Sequence, residues 1–150
     1  MKRFSLLLSF AALSLSLSTG QAVAQAMPQL ELSAGIHRIV AEVAATDPDR
    51  QRGLMQRTGL GPNQGMLFVF PLASRHCMWM KNTLINLSVA FIGEDGKIIN
   101  IADMQPQTED NHCAEGPARY ALEMSQGWFR SRGLGAGVKL NGIDKAPAPR

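Results

Sequence analysis

The apolar positions of this chain fall into short runs, most of them too short for helices and bounded by turn residues. "GIHRIVAEVAAT" (35–46) sets Ile36, Ile39, Val40 and Val43 in a loose alternation that predicts a strand. "MLFVF" (66–70) is continuously apolar and predicts a buried strand, broken by "PLASR". "HCMWM" (76–80) is a further strand candidate, leading into the loop "KNTLIN" (81–86). "LSVAFI" (87–92) and "KIINIADM" (97–104) flank "GEDG", the pattern of a hairpin with a four-residue turn. "ARYALEM" (118–124) and "VKLN" (138–141) complete the strands, after the long polar stretch "QPQTEDNHCAEGP" (105–117).

Two short helices are expected. In "TDPDRQRGLMQR" (46–57), Thr46 or Asp47 can cap, Pro48 suits the first turn, and acidic residues lie near the positive end. The turn-rich "TGLGPNQG" keeps that helix short. "SQGWFRSRG" (125–133) should form the second, stopped by Gly133. Strands outnumber helices and do not alternate with them, which argues against a doubly wound parallel sheet. The expected fold is β-rich α+β: a small, strongly bent antiparallel sheet or open barrel with two short helices. It should form one domain over residues 30–142, followed by a flexible tail, 143–150.

The beginning of the chain changes the setting. Lys2 and Arg3 precede an apolar run over residues 4–17, and "AVA" and "AQA" end at Ala24 and Ala26 in the small-x-small cleavage pattern. The run is shorter than the roughly 20 residues a spanning helix needs. Residues 1–26 are therefore expected to be a cleaved signal peptide, with the mature protein starting at Gln25 or Met27. The expected location is the periplasm, or the extracellular space as the alternative. The net charge of +3 includes Lys2 and Arg3; without them, 13 basic residues face 12 acidic ones, a net +1. No basic cluster remains, so nucleic-acid binding is not expected. Nor is a membrane span after cleavage, and the mature chain is expected to be a monomer. Cys77 and Cys113 are the two cysteines, and in an oxidising compartment such a pair reads as a disulfide. The spacing excludes a CxxC redox motif.

Several motifs occur in a distinctive order: "RGLMQR" (52–57), "GMLFVF" (65–70), "WMKNTLI" (79–85), "VAFI" (89–92) and "PARYALEM" (117–124), then "GWF" and a Gly-rich turn. Together they closely resemble domain-of-unknown-function family 192, also called uncharacterised protein family 0127, over about residues 36–141. The resemblance implies a small β-rich domain, often exported, and carries over no biochemical activity. This chain has Asn86 and Ser88 where the family pattern often has Pro and Asp, and His76 and Cys77 lie outside the core signature.

Three functions compete. Lys81, Asn82 and Thr83 end a strand inside the family's most recognisable motif. With Arg57 and Glu123 they form a candidate pocket for a small anionic or polar molecule, in which Arg and Lys supply charge while Asn and Thr supply directed hydrogen bonds. The plainer reading has Asn82 and Thr83 capping turns and Lys81 or Arg57 pairing with Glu123. A small hydrolase built on Lys81 and Glu123 is an alternative, although GxSxG and HExxH are missing and the sequence leans away from an enzyme. The third is a copper or redox factor using His76, Cys77, Met78 and Met80, with His112 and Cys113 nearby. It conflicts with the disulfide, because a bridged cysteine is no thiolate ligand. The bland alternative places Trp79 and the methionines in the core. No metal or cofactor is assigned, and a periplasmic binding or accessory module is the first expectation.

Overall fold

The structure, a computed structural model, describes residues 26–150. The expected signal peptide thus lies outside the described residues, apart from Ala26.

Seven strands form the main sheet: β1 (Gln29–Ala34), β2 (His37–Ala44), β3 (Gln64–Ser74), β5 (Leu87–Ile92), β6 (Ile98–Met104), β8 (Ala118–Ser125) and β9 (Leu140–Asn141). Two short strands, β4 (Cys77–Met78) and β7 (His112–Cys113), pair separately as an arm. The sheet order is β6-β5-β8-β3-β2-β1-β9. All its ladders are antiparallel except β2–β3, which is parallel, so the sheet is mixed at one place. The crossover between β2 and β3 carries the helix α1 (Asp47–Arg52).

The sheet curls into a half-barrel strapped at one end. Leu140 and Asn141 pair with β1, while the Gly137 N–H donates to Ile98 O (2.8 Å) and the Leu140 N–H to Gly96 O (2.9 Å). The last strand therefore reaches both sheet edges. One face of the sheet packs Ile39, Leu67, Leu122 and Met124 against Trp128 and Phe129 from the closing segments. The other face carries Met66, Phe68, Leu87 and Phe91, roofed by Leu54 from the α1 loop and by Met80. Each such buried apolar side chain contributes roughly 1.5–3 kcal/mol relative to exposure.

α1 forms where its capping residues predict. The Thr46 side chain accepts from the Asp49 N–H (3.2 Å), and Pro48 occupies the first turn. It is the single α-helix among the described residues, so the expectation of two short helices is corrected. The segment at 125–133 tightens instead into a 3-10 turn, Arg130–Arg132, ended by left-handed Gly133 (φ 65°). β3 also runs on through Pro71, where the sequence predicted a break. Its register against β8 shifts between Val69 and Ser74, and an irregularity of that kind accommodates a residue with no N–H. β1 was not anticipated. After Gly142 the chain makes a 3-10 turn, Ile143–Lys145, with Ile143 buried, and the Arg150 N–H donates to Ala45 O (2.7 Å).

Candidate functional site

β8 lies between β3 and β5, and that position buries Glu123. The residue stands opposite Met66 on β3 and Val89 on β5, with 3% of its surface exposed. Among the described residues, no hydrogen bond or ion pair reaches its carboxyl. Burial pushes its pKa up to about 8, so the side chain is a neutral acid at pH 7. Gly65 keeps β3 close at this point: a Cβ there would meet Glu123 O at 2.4 Å.

The corner at 81–83 stands over this acid and is fixed by its backbone. The Thr83 N–H donates to Met80 O (3.0 Å) and the Gln107 N–H to Thr83 O (3.0 Å). Asn82 is left-handed (φ 55°), a conformation Asn tolerates, and its carbonyl accepts from the N–H of Gln56, itself left-handed (3.0 Å). Asn82 thus ties the corner to the α1 loop, and its exposed side chain is not part of the cavity lining. Thr83 is buried, and its hydroxyl donates to Lys81 O (3.3 Å). Lys81 is half-exposed, 3.7 Å from Glu109 and 5.2 Å from the Trp79 ring centroid.

Lys81, Thr83 and Glu123 line one small cavity of about 30 Å³, with α1 on its opposite side. It adjoins a groove of about 430 Å³, with which it shares Arg50, Gln51, Phe68, Met78 and Trp79 and which Phe70, Cys77 and Asp47 also wall. Arg50 borders both spaces but is committed elsewhere, donating to Ala45 O (2.6 Å) and Val69 O (2.9 Å) and pairing with Asp47. Arg52 pairs with Asp49 (2.8 Å). Lys81 is therefore the most loosely held cation at the site. Arg57 does not join it. Its guanidinium pairs with Glu42 (2.6 Å) and lines a neighbouring hollow beside Met27.

The opening of the groove rests on the β4–β7 arm. Cys77 and Cys113 face each other there and are disulfide-bonded, with Cα atoms 3.9 Å apart. The soft-metal constellation consequently has no thiolate. Met80 is fully buried, and the His76 ring stacks on Phe70 (3.8 Å) while its Nε2 contacts Leu72 O (2.9 Å). The two residues of the hydrolase alternative, Lys81 and Glu123, both line the small cavity.

Trp79 is corrected outright. It was expected in the core and is 45% exposed. The two-residue strand β4 ends before it, so no sheet face holds the ring inside. Trp79→Ala is accordingly expected to shift the melting temperature by no more than about 4 °C, corresponding to a loss near 1 kcal/mol. A larger drop would return the ring to the core.

A second hollow, of about 260 Å³, lies beside Ser88, Asp103 and Arg130. Its polar groups are already matched. Ser88 Oγ donates to Asp103 Oδ1 (2.5 Å) and accepts from the Gly127 N–H (2.9 Å), and Arg130 pairs with Asp103. Those hydrogen bonds, Ser88's foremost, hold the Asp103 carboxyl below its ordinary value. The trio reads as a clasp joining β5, β6 and the 3-10 turn. A carboxylate in place of Ser88 would confront Asp103.

No curated protein matches the chain. A crystal structure from Sinorhizobium meliloti 1021, described as a candidate transcription regulator, is 34% identical with a TM-score of 0.70, covering 77% of this chain and 92% of that one. A protein of unknown function from Novosphingobium aromaticivorans DSM 12444 is 29% identical, also at TM-score 0.70, covering 87% and 93%. The family described as an uncharacterised ACR, DUF192, matches residues 29–142, and the chain belongs to that family.

Proposed function

We propose that this protein is an exported binding module whose small anionic or polar ligand is held between α1, the Lys81–Thr83 corner and Glu123. The observation that carries this reading is the buried carboxyl of Glu123, with no hydrogen bond or ion pair among the described residues, on the lining of the small cavity beside the groove. A buried polar group without a partner costs roughly 1–3 kcal/mol, and a ligand that hydrogen-bonds to it relieves that cost. Lys81 adds a charge free to move toward the ligand. The bound disulfide and the signal-like residues 1–26 support export.

The regulator name attached to the Sinorhizobium relative would call for a basic face. Here Arg38, Arg52, Arg57 and Arg130 each pair with an acid, which argues for a ligand other than nucleic acid.

Native mass spectrometry of protein recovered from its own exporting cells tests both halves. The expected species begins at Gln25 or Met27 and carries a small ligand that Lys81→Ala loses while its melting temperature is unchanged. A retained Met1 contradicts export. A ligand kept by Lys81→Ala and by Thr83→Val places binding elsewhere.

A further inference from the structure

We propose that the groove is built for a monocarboxylate with a planar apolar body, such as an aryl carboxylate, whose head lies at Glu123 and Lys81 and whose body lies along Phe68, Met78 and Trp79. The inference deepens the binding reading and rests on it.

The inner cavity sets the size of the head. At about 30 Å³ it is much smaller than the groove beside it and suits a small polar head. A carboxylate, two oxygens on one carbon, is such a head. Four backbone hydrogen bonds fix the corner that borders this space: Met80 to Thr108, Thr83 to Met80, Gln107 to Thr83 and Gln56 to Asn82.

The polar groups set its charge. Buried and un-ionised, Glu123 is a hydrogen-bond donor, and a carboxylate is the acceptor that makes such a bond short and strong. Of the charged groups that line the cavity with it, Arg50 and Arg52 on α1 are paired with Asp47 and Asp49, and Lys81 on the corner, 3.7 Å from Glu109, is the most loosely held. The strands beside it contribute Met66 and Val89, without charge. An anionic head beside Glu123 would meet Lys81.

The outer groove sets the body. Its volume of about 430 Å³ suits a small molecule. Its walls are mostly Phe68, Phe70, Met78, Trp79 and Cys77, with Asp47, Arg50 and Gln51 along the α1 side, where the Asp47 carboxylate would oppose a second negative charge on the ligand. Trp79 presents its exposed ring at the junction, with the Lys81 ammonium near it, so one residue pair contacts both parts of the ligand.

The test is calorimetric titration of the purified protein with benzoate, acetate and benzyl alcohol at about pH 6 and about pH 9, alongside Trp79→Ala, Lys81→Ala and Glu123→Gln. Benzoate is expected to bind at least about tenfold more tightly than acetate, which lacks the ring to bury, and than benzyl alcohol, which lacks the charge for Lys81 and Glu123. Trp79→Ala and Lys81→Ala should each weaken it by about tenfold or more, and alkaline pH should weaken it in the wild type but not in Glu123→Gln. Acetate binding as tightly as benzoate overturns the apolar body and leaves the polar site standing. Benzyl alcohol binding as tightly overturns the carboxylate head. Absence of binding by all three at millimolar concentration overturns the proposal, while a retained ligand of other chemistry would still support the broader reading.

Discussion

The unfolding free energy is expected to fall by roughly 5 kcal/mol as the pH rises from 4.5 to about 8, and Glu123→Gln is expected to remove that fall. The cause is the difference between a carboxyl buried in β8 and the same group solvated in the unfolded chain. Between the two pKa values the folded protein keeps a proton that the unfolded chain has released, so each step up in pH favours unfolding. Below 4.5 both states are protonated and the contribution is whole; above about 8 it is lost. Asp103 works in the opposite sense. Its lowered pKa contributes stability that disappears as the pH falls, so the quantity to measure is wild type minus variant. Urea unfolding across this range gives it directly. A difference that stays flat would mean Glu123 is solvated and ionised, and the neutral donor beside the groove would be gone.

Replacing Cys77 and Cys113 together by Ser is expected to cost about 4 kcal/mol, from the chain entropy released by opening a loop between residues 36 positions apart. The other ties on the arm are hydrogen bonds, among them Arg75 donating to Ala114 O (3.3 Å) and Asn100 Nδ2 to Cys113 O (3.2 Å), and the stack of His76 on Phe70. β4 and β7 contribute two residues each, helped by the Ala114 N–H to His76 O (2.8 Å) and the Met80 N–H to Thr108 O (3.0 Å). Because the arm walls the groove, ligand affinity should fall with stability, and a strong reductant should reproduce both effects in the wild type. An unchanged urea midpoint in the double variant would show that the arm is held by its packing alone.

Local chemistry made much of the fold legible. The Thr46 cap with Pro48, the hairpin at "GEDG" and the stop at Gly133 each act within a few residues, and each occurs where its residues place it. The continuous apolar run Met66–Phe70 on β3 is buried at every position. Long-range facts were not legible. The parallel pairing of β2 with β3 depends on the crossover through α1, and nothing in either run encodes its direction. Trp79 misled because alternation along "HCMWM" assumes a strand, whereas β4 lasts two residues and a disulfide sets its position.

The site divides in the same way. Lys81, Thr83 and Glu123 were singled out by motif, and they share a cavity. Arg57 was grouped with them by charge, but Glu42 on β2 stands closer and takes it. Asn82 was valued for its side chain, while its backbone conformation is what joins the corner to the α1 loop. The burial of Glu123 could not be read at all, because "ALEM" does not reveal that β3 and β5 cover it from both sides.

The most direct test of the binding account is the side-chain carboxyl carbon resonance of Glu123, assigned by its absence in Glu123→Gln and followed by NMR through a pH titration with and without benzoate. The expected result is a single titration near pH 8 whose resonance shifts on adding the ligand below that pH. A carboxyl that titrates in the ordinary range around 4.5 and does not respond to ligand would contradict the assignment of this groove as the binding site.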